Sequence, residues 1–212
     1  AQLSLTELTI PERSYSFAHA CQKAGSTEIS FFVRAVPNGK MSNWLLSEKA
    51  LQSTLHIKGS FGEFFLRESQ KPMICIAGGS GLAPLISILE SALNQPDKKQ
   101  LHQRDVLLLL GARTQKDLYY QEQIELIRSQ WIGNFTFNAV LSDEPDDSEW
   151  QGLRGFVTDH IDEDFAAGAE GYFCGPPPMI DAAIKQMNNY GVTNEHIFFD
   201  KFSDQHDASQ AV

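Results

Sequence analysis

Apolar positions in the first third of the chain fall in short runs broken by glycine and polar residues. Residues 2–5, 13–18, 28–36, 53–58 and 63–66 are rich in β-branched and aromatic side chains, which suit a pleated, half-buried surface, and they read as strands. One helical piece at 42–47 interrupts them, introduced by Pro37-Asn38-Gly39-Lys40-Met41. Beyond the polar patch 67–72 the pattern changes. A continuous apolar run at 73–77 and further strand-like segments at 106–110, 135–141, 171–174 and 196–199 alternate with segments of helical character at 84–93, 119–130, 157–165 and 177–190. In the second of these helices Tyr120, Ile124 and Ile127 share a face. Strand and helix in alternation predict parallel βαβ units, so the chain divides into an all-β part over 1–70 and an open parallel α/β part over 71–202. The polar tail 203–212 is expected to fray.

A hydrophobic content of 42% in 212 residues is enough to fill the cores of one domain or two small ones. Acidic residues outnumber basic ones 27 to 17, a net charge of −10, which leaves no general positive field for nucleic acid or an anionic membrane. The apolar runs are far shorter than the roughly 20 residues needed to cross a bilayer. The polar N-terminus resembles no signal peptide, and a cytoplasmic location is expected. Cys21, Cys75 and Cys174 are odd in number and far apart, which suggests neither a disulfide framework nor a metal-binding run. The histidines lack ligand spacing, so no metal is assigned. Trp44, Trp131 and Trp150 read as packing residues, and Asp143-Glu144-Pro145-Asp146-Asp147 as a solvated loop.

Three motifs carry chemistry. Gly78-Gly79-Ser80-Gly81-Leu82-Ala83-Pro84 lies where a buried strand gives way to a helix. Its glycines let the backbone approach a ligand, and the helix start offers N–H groups to a pyrophosphate. Pro84 stands where the usual dinucleotide fingerprint has its last glycine. Cys174-Gly175-Pro176-Pro177-Pro178-Met179 is a second elbow of the same kind, expected to face the first across the crevice of a doubly wound sheet. In the β part, Arg13-Ser14-Tyr15-Ser16 combines a phosphate-gripping guanidinium, an aromatic face and hydroxyls, joined by Val33-Arg34 and Gly39-Lys40-Met41-Ser42. Ser42 is expected to cap a helix whose N–H groups meet the same phosphate.

In this order, and with Phe198-Phe199-Asp200-Lys201-Phe202 near the end, these motifs resemble the ferredoxin–NADP reductase superfamily. They are most similar to the NADH-dependent reductase components of bacterial aromatic-ring dioxygenases and soluble di-iron monooxygenases. The resemblance, which runs from about Leu3 to Phe202, implies an antiparallel FAD-binding β-barrel followed by a nicotinamide-binding α/β domain. Arg13 would hold the FAD pyrophosphate, with Ser14 beside it, Tyr15 packed on the isoalloxazine and Ser16 bonded near its N5. Val33, Arg34 and the turn of Gly39, Lys40, Met41 and Ser42 would secure the ribityl and phosphate groups. Gly79, Ser80, Gly81 and Pro84 would line the nicotinamide dinucleotide, with Gly111, Ala112, Arg113 and Asp117 on its far side. Cys174 would lie beside nicotinamide C4 and act with Tyr15 and Ser16 at the reacting centre, while Gly175, Pro176 and Met179 shape the pocket and Phe202 covers the flavin. The implied activity passes electrons from NADH through FAD to an iron–sulfur centre, a 2Fe-2S ferredoxin or ferredoxin-like domain, and thence to an oxygenase component.

Two departures set further expectations. Only 12 residues precede Arg13, so a barrel lacking its first strands and holding FAD loosely is expected, and no Cys-x4-Cys-x2-Cys run for a cluster is present. Asp200 stands where the family tends to have Glu and is given no proton-relay role. Arg113 and Lys116 favour a 2′-phosphate while Asp117 favours a free ribose, and the resemblance tips the choice to NADH over NADPH. Two rival functions stay open: a reductase of free flavin, and a flavin-free nicotinamide-binding or redox-sensing domain.

Overall fold

Five consecutive apolar side chains begin Met73–Gly78 (β4), and such a strand can be covered only if both faces of its sheet are packed. The computed structural model, which describes residues 1–5, 10–20 and 27–202, meets that demand with a six-stranded parallel sheet. Its other strands are Val106–Ala112 (β5), Phe135–Leu141 (β6), Leu153–Arg154 (β7), Glu170–Gly175 (β8) and Ile197–Lys201 (β9), in the order β7-β6-β5-β4-β8-β9. Alternate residues feed opposite cores, as the two-residue strand period requires. Met73, Cys75, Val106, Leu108 and Tyr172 pack beneath helices Leu82–Leu93 (α2) and Gln121–Gln130 (α3). Ile74, Ile76, Leu107, Leu109 and Phe173 pack on the opposite face with the longer helix Pro177–Asn189.

A second, antiparallel sheet is small. Gln2–Ser4 (β1) lies between Arg13–Ser14 (β2) and His56–Lys58 (β3), with Leu3 opposite Arg13 on one side and Ile57 on the other. A short helix, Lys40–Leu45 (α1), sits between β2 and β3 in the chain.

Several sequence expectations are corrected. Residues 28–36 form no extended strand, giving only the isolated bridge between Phe17 and Phe31, and residues 63–66 form none. Their aromatic side chains are used for packing rather than for a ladder: Phe32, Phe64 and Leu66 rest against the core of the large sheet. Residues 157–165 break into a 3₁₀ turn at Val157–His160 and the helix Glu163–Ala166 (α4, making Pro177–Asn189 α5). Asp159 accepts from Phe156 N at 3.1 Å and Asp162 from Phe165 N at 2.7 Å, so each acid closes its own short turn. Helix α1 begins at Lys40 with Gly39 at its N-cap, so Ser42 lies inside it and is not its cap. Helix α3 starts at Gln121, with Tyr120 left-handed (φ 63°) ahead of it. Cys21 and the tail 203–212 lie outside the described residues. Among the described residues no helix is long and apolar enough to cross a membrane.

The segment joining the two sheets is tied down by buried charge. Arg104 and Glu170 are 3% and 5% exposed, and Arg104 Nη2 donates to Glu170 Oε2 at 2.6 Å. Arg104 Nε also reaches Lys71 O at 2.5 Å and Nη1 reaches Arg67 O at 3.4 Å, while Tyr172 donates to Glu170 at 3.1 Å and accepts from Arg67 N at 3.2 Å. A buried ion pair persists only when its remaining lone pairs and protons are satisfied, and here the connecting backbone satisfies them.

Candidate functional site

Between β4 and β8 the chain order reverses, which marks the switch point where open α/β sheets bind ligands at the carboxyl ends of their strands. Both glycine-proline elbows lie there, but they do not merely face each other across a crevice. They are packed backbone to backbone. A Cβ at Gly81 would stand 2.1 Å from Cys174 O and 2.5 Å from its carbonyl carbon, and one at Gly175 would stand 2.9 Å from Gly78 N. Gly79, at φ +52°, is the opposite case: a Cβ there meets nothing within 4 Å, so this backbone borders open space. Tyr119 holds the elbow from outside by donating to Gly79 O at 3.0 Å. Pro84 falls in the first turn of α2, where a missing N–H is tolerated, and Pro177 opens α5.

Beside these elbows is a cavity of about 1480 Å³. Arg13, Ser14, Tyr15 and Ser16 line it from β2 and the residues after it, Pro84 from α2, and Phe199, Asp200, Lys201 and Phe202 from the end of β9. Ser16 Oγ donates to Asp200 Oδ2 at 3.2 Å across 184 positions of sequence. Asp200 pairs in register with Cys174, and Phe202 N donates to Gly175 O at 2.9 Å, so the cavity wall continues directly into the second elbow. Burial raises the Asp200 carboxyl above its ordinary 3.8, with the Ser16 hydroxyl partly opposing the shift. Cys174 is wholly buried, and desolvation together with nearby Asp200 pushes its thiol far up, so it stands as a neutral group. Burial also raises the Tyr15 phenol.

The Asp200 shift has a thermodynamic sign. A carboxyl raised in the folded protein binds its proton more tightly than the unfolded chain does, so its burial costs nothing when both states are protonated and lowers stability once pH exceeds both values. Asp200→Asn is therefore expected to leave the flavin-free protein unchanged below about pH 3 and to stabilise it at neutral pH. Urea unfolding at the two pH values checks this, and equal effects at both would contradict the assigned shift.

Comparison with known proteins decides what this architecture is. Residues 4–66 match the oxidoreductase FAD-binding domain and residues 75–185 the oxidoreductase NAD-binding domain. The chain belongs to the ferredoxin reductase family of FAD- and NAD-binding oxidoreductases. It is 44% identical over 192 residues to the xylene/toluene monooxygenase electron transfer component of Pseudomonas putida, covering 90% of this chain and 53% of that protein. It is 33% identical to the reductase component of propane 2-monooxygenase from Rhodococcus jostii, covering 93% of this chain and 54% of that protein. Among solved structures, a cytochrome P450 reductase of Amycolatopsis is 31% identical with a TM-score of 0.80, covering 96% of this chain and 60% of that one. The chain spans about half the length of the curated relatives it matches.

For a member of the ferredoxin reductase family, the cavity carries a suitable donor set for FAD: a guanidinium, hydroxyls and an aromatic ring are brought together in Arg13, Ser14, Tyr15 and Ser16, with Phe202 also in the wall. The remaining FAD candidates are not gathered there. Val33, Arg34, Gly39, Lys40, Met41 and Ser42 do not line the cavity. Met41 and Ser42 are buried, and Ser42 Oγ accepts from Val36 N at 3.2 Å, closing the turn. Of the residues expected to meet the nicotinamide, Gly81, Cys174, Gly175, Pro176 and Met179 form one cluster around Gly78, where a Cβ would meet Pro176 at 2.7 Å and Met179 at 2.8 Å, and Gly79 and Ser80 belong to the adjoining turn. Gly111 is level with Gly78 on the neighbouring strand, with Ala112 and Arg113 following. Asp117 Oδ2 accepts from Thr114 N at 2.9 Å and Thr114 Oγ1 at 3.0 Å, so this acid closes its own loop, and Arg113 pairs with Asp143 at 3.7 Å. Gln115 N donates to Glu144 at 2.9 Å, and the bonds from Gln115 hold the Glu144 carboxyl below its usual range.

Sequence reasoning missed Asp200 as a partner of Ser16, and Tyr119 as the brace of the first elbow. The adjacent aromatics Tyr119-Tyr120 before a helix of polar composition were the available signal for the second.

Proposed function

We propose that this chain takes electrons from NADH and passes them through FAD to a one-electron iron–sulfur partner, a 2Fe-2S ferredoxin or ferredoxin-like domain, serving an oxygenase in the cytoplasm. Residues 1–70 are assigned to FAD and residues 71–202 to the nicotinamide dinucleotide. FAD, when bound, supplies hydride acceptance from NADH and the release of single electrons.

The observation that carries this reading is the continuity of the two sites. One wall of the cavity bearing Arg13 to Ser16 is the same stretch of chain, Asp200 to Phe202, that is bonded to the Cys174–Gly175 elbow. Two ligands held by such walls meet at short range. Arg13 grips phosphate, Tyr15 and Phe202 bracket the ring system, and Ser16, oriented by Asp200, bonds near its reactive edge. Gly79, Ser80 and Gly81 cradle the dinucleotide with Pro84 beside them. Cys174 and Tyr15, neutral and partly or wholly desolvated, border the reacting carbons without adding charge, while Gly175, Pro176 and Met179 bound the pocket. No acid–base pair is needed, since alignment and exclusion of water do the work. The acids around Arg113, namely Asp117, Asp143 and Glu144, disfavour a 2′-phosphate and support NADH. The names of the relatives support an oxygenase as destination.

The experiment is anaerobic mixing of FAD-loaded protein with NADH, followed by addition of a 2Fe-2S ferredoxin. Flavin bleaching and then ferredoxin reduction are expected, and absence of bleaching defeats the reading. Arg13→Ala is expected to weaken FAD retention by roughly tenfold to a hundredfold, the worth of charge-assisted hydrogen bonds. Full flavin content after gel filtration would remove Arg13 from the site.

A further inference from the structure

A set of contacts away from the elbows and the Ser16–Asp200 pair joins the small sheet to the large one. His19, a few residues beyond β2, lies against Glu90 on α2, with Nδ1 to Oε1 at 2.9 Å and to Oε2 at 3.2 Å. Its Nε2 is 3.1 Å from the Tyr120 hydroxyl, and Ala20 N donates to Glu90 Oε2 at 2.9 Å. With a proton on Nδ1 the imidazole donates to the Glu90 carboxylate, and Nε2 and the Tyr120 hydroxyl share the second hydrogen bond. Phe32 packs against both tyrosines, with centroids 5.3 Å from Tyr119 and 4.9 Å from Tyr120. Tyr120 is left-handed, a conformation a bulky residue holds when its surroundings determine it. Its neighbour Tyr119 donates to Gly79 O. An unbroken path therefore runs from His19 in the cavity wall, through Tyr120 and Tyr119, to the first elbow.

We propose that His19, Glu90 and Tyr120 form a clasp that fixes the orientation of the FAD-side sheet against the dinucleotide elbow, which makes them positioning residues for hydride transfer. The proposal rests on the function given above and names what holds its two sites in register. The chain connects the two sheets through residues 67–72, pinned by Arg104 and Glu170 at the ends of the strands where Met73 and Glu170 begin. The ligands meet at the opposite, carboxyl ends. A tilt of the sheets about that attachment displaces one ligand relative to the other, and at the carboxyl ends the Ser16–Asp200 bond resists it at a single point. Hydride transfer needs reacting atoms about 3–3.5 Å apart, and a displacement of roughly 1 Å costs up to about a hundredfold in rate. The clasp adds to the Ser16–Asp200 bond a further attachment, on helix α2, that depends on no ligand.

Two variants test this in the FAD-loaded protein. Tyr120→Phe removes the hydroxyl and keeps the ring that packs on Phe32, whereas His19→Asn keeps a donor for Glu90 and gives up the reach to Tyr120. Each is expected to lower the limiting rate of flavin reduction by NADH on the order of tenfold, with NADH affinity within about twofold of the unsubstituted protein and, for Tyr120→Phe, whose side chain does not line the cavity, FAD content likewise. In the flavin-free protein, both are expected to speed amide hydrogen exchange at residues 78–82 and 118–121. Unchanged rate and exchange in both variants would overturn the clasp. Loss of NADH affinity with the limiting rate intact would overturn the positioning role in favour of a binding one. If NADH fails to bleach the unsubstituted protein, the functional reading fails instead, and exchange in the flavin-free protein still decides whether the clasp exists.

Discussion

Alanine at position 81 is expected to cost roughly 3 kcal/mol of stability and to reduce NADH-dependent flavin reduction by more than about a hundredfold. Gly81 has an ordinary helical φ of −62°, so the penalty is wholly steric. The added methyl would stand 2.1 Å from Cys174 O and 3.0 Å from Gly175 N, both main-chain atoms of the neighbouring strand and unable to rotate away. Relief requires β4 and β8 to separate at the point where both elbows begin. Gly79→Ala is the control: its methyl meets nothing within 4 Å, and the cost is that of a left-handed alanine, about 1–2 kcal/mol. Urea unfolding and stopped-flow reduction of the two variants separate the effects. Equal losses at 79 and 81 would show that backbone freedom, and not close approach, explains the motif.

Glu170→Gln should be the most damaging single change away from the site. It leaves the Arg104 guanidinium buried without its counter-charge, a defect worth roughly 3–5 kcal/mol and, for a chain of this size, about 10 °C in Tm. Replacing both Arg104 and Glu170 with leucine should recover part of the loss, because a buried pair exchanged for apolar groups is often nearly neutral. Recovery should be incomplete here, since Arg104 also binds Lys71 O and Arg67 O, and those carbonyls would lose their donor. Calorimetry on the single and double variants is the measurement. A Glu170→Gln cost below about 1 kcal/mol would mean that the site is effectively solvated.

In the parallel sheet β4 and β5 were legible in the sequence because burial on both faces writes an unbroken apolar run, whereas β6, with Thr136 exposed, was legible from its aromatic and apolar positions. The expected strand at 135–141 coincides with β6, and that at 73–77 falls one residue short of β4. The small sheet was poorly legible for the converse reason. Phe31, Phe32 and Phe64 look like strand residues, yet they cover neighbouring rings and the larger core from irregular backbone. Glycine and proline announced both elbows, since few other residues permit those turns. They gave no hint that Gly81 and Cys174 touch, which depends on strand order. The association of His19, Glu90 and Tyr120 was not legible, since His19 stands 71 and 101 positions from its partners with no motif spacing and Tyr120 reads as part of an apolar helix face. Asp200 was noticed as a departure from its relatives, but its partnership with Ser16 is created by tertiary structure alone.

The loop after β5 bears on any attempt to re-engineer coenzyme preference. Asp117, the obvious target by position, is the residue that folds the loop back on Thr114. Exchanging it would reshape the turn before it altered the local charge, confounding selectivity with distortion. The exposed Arg113–Asp143 contact closes no turn of its own and is the better handle for such a redesign.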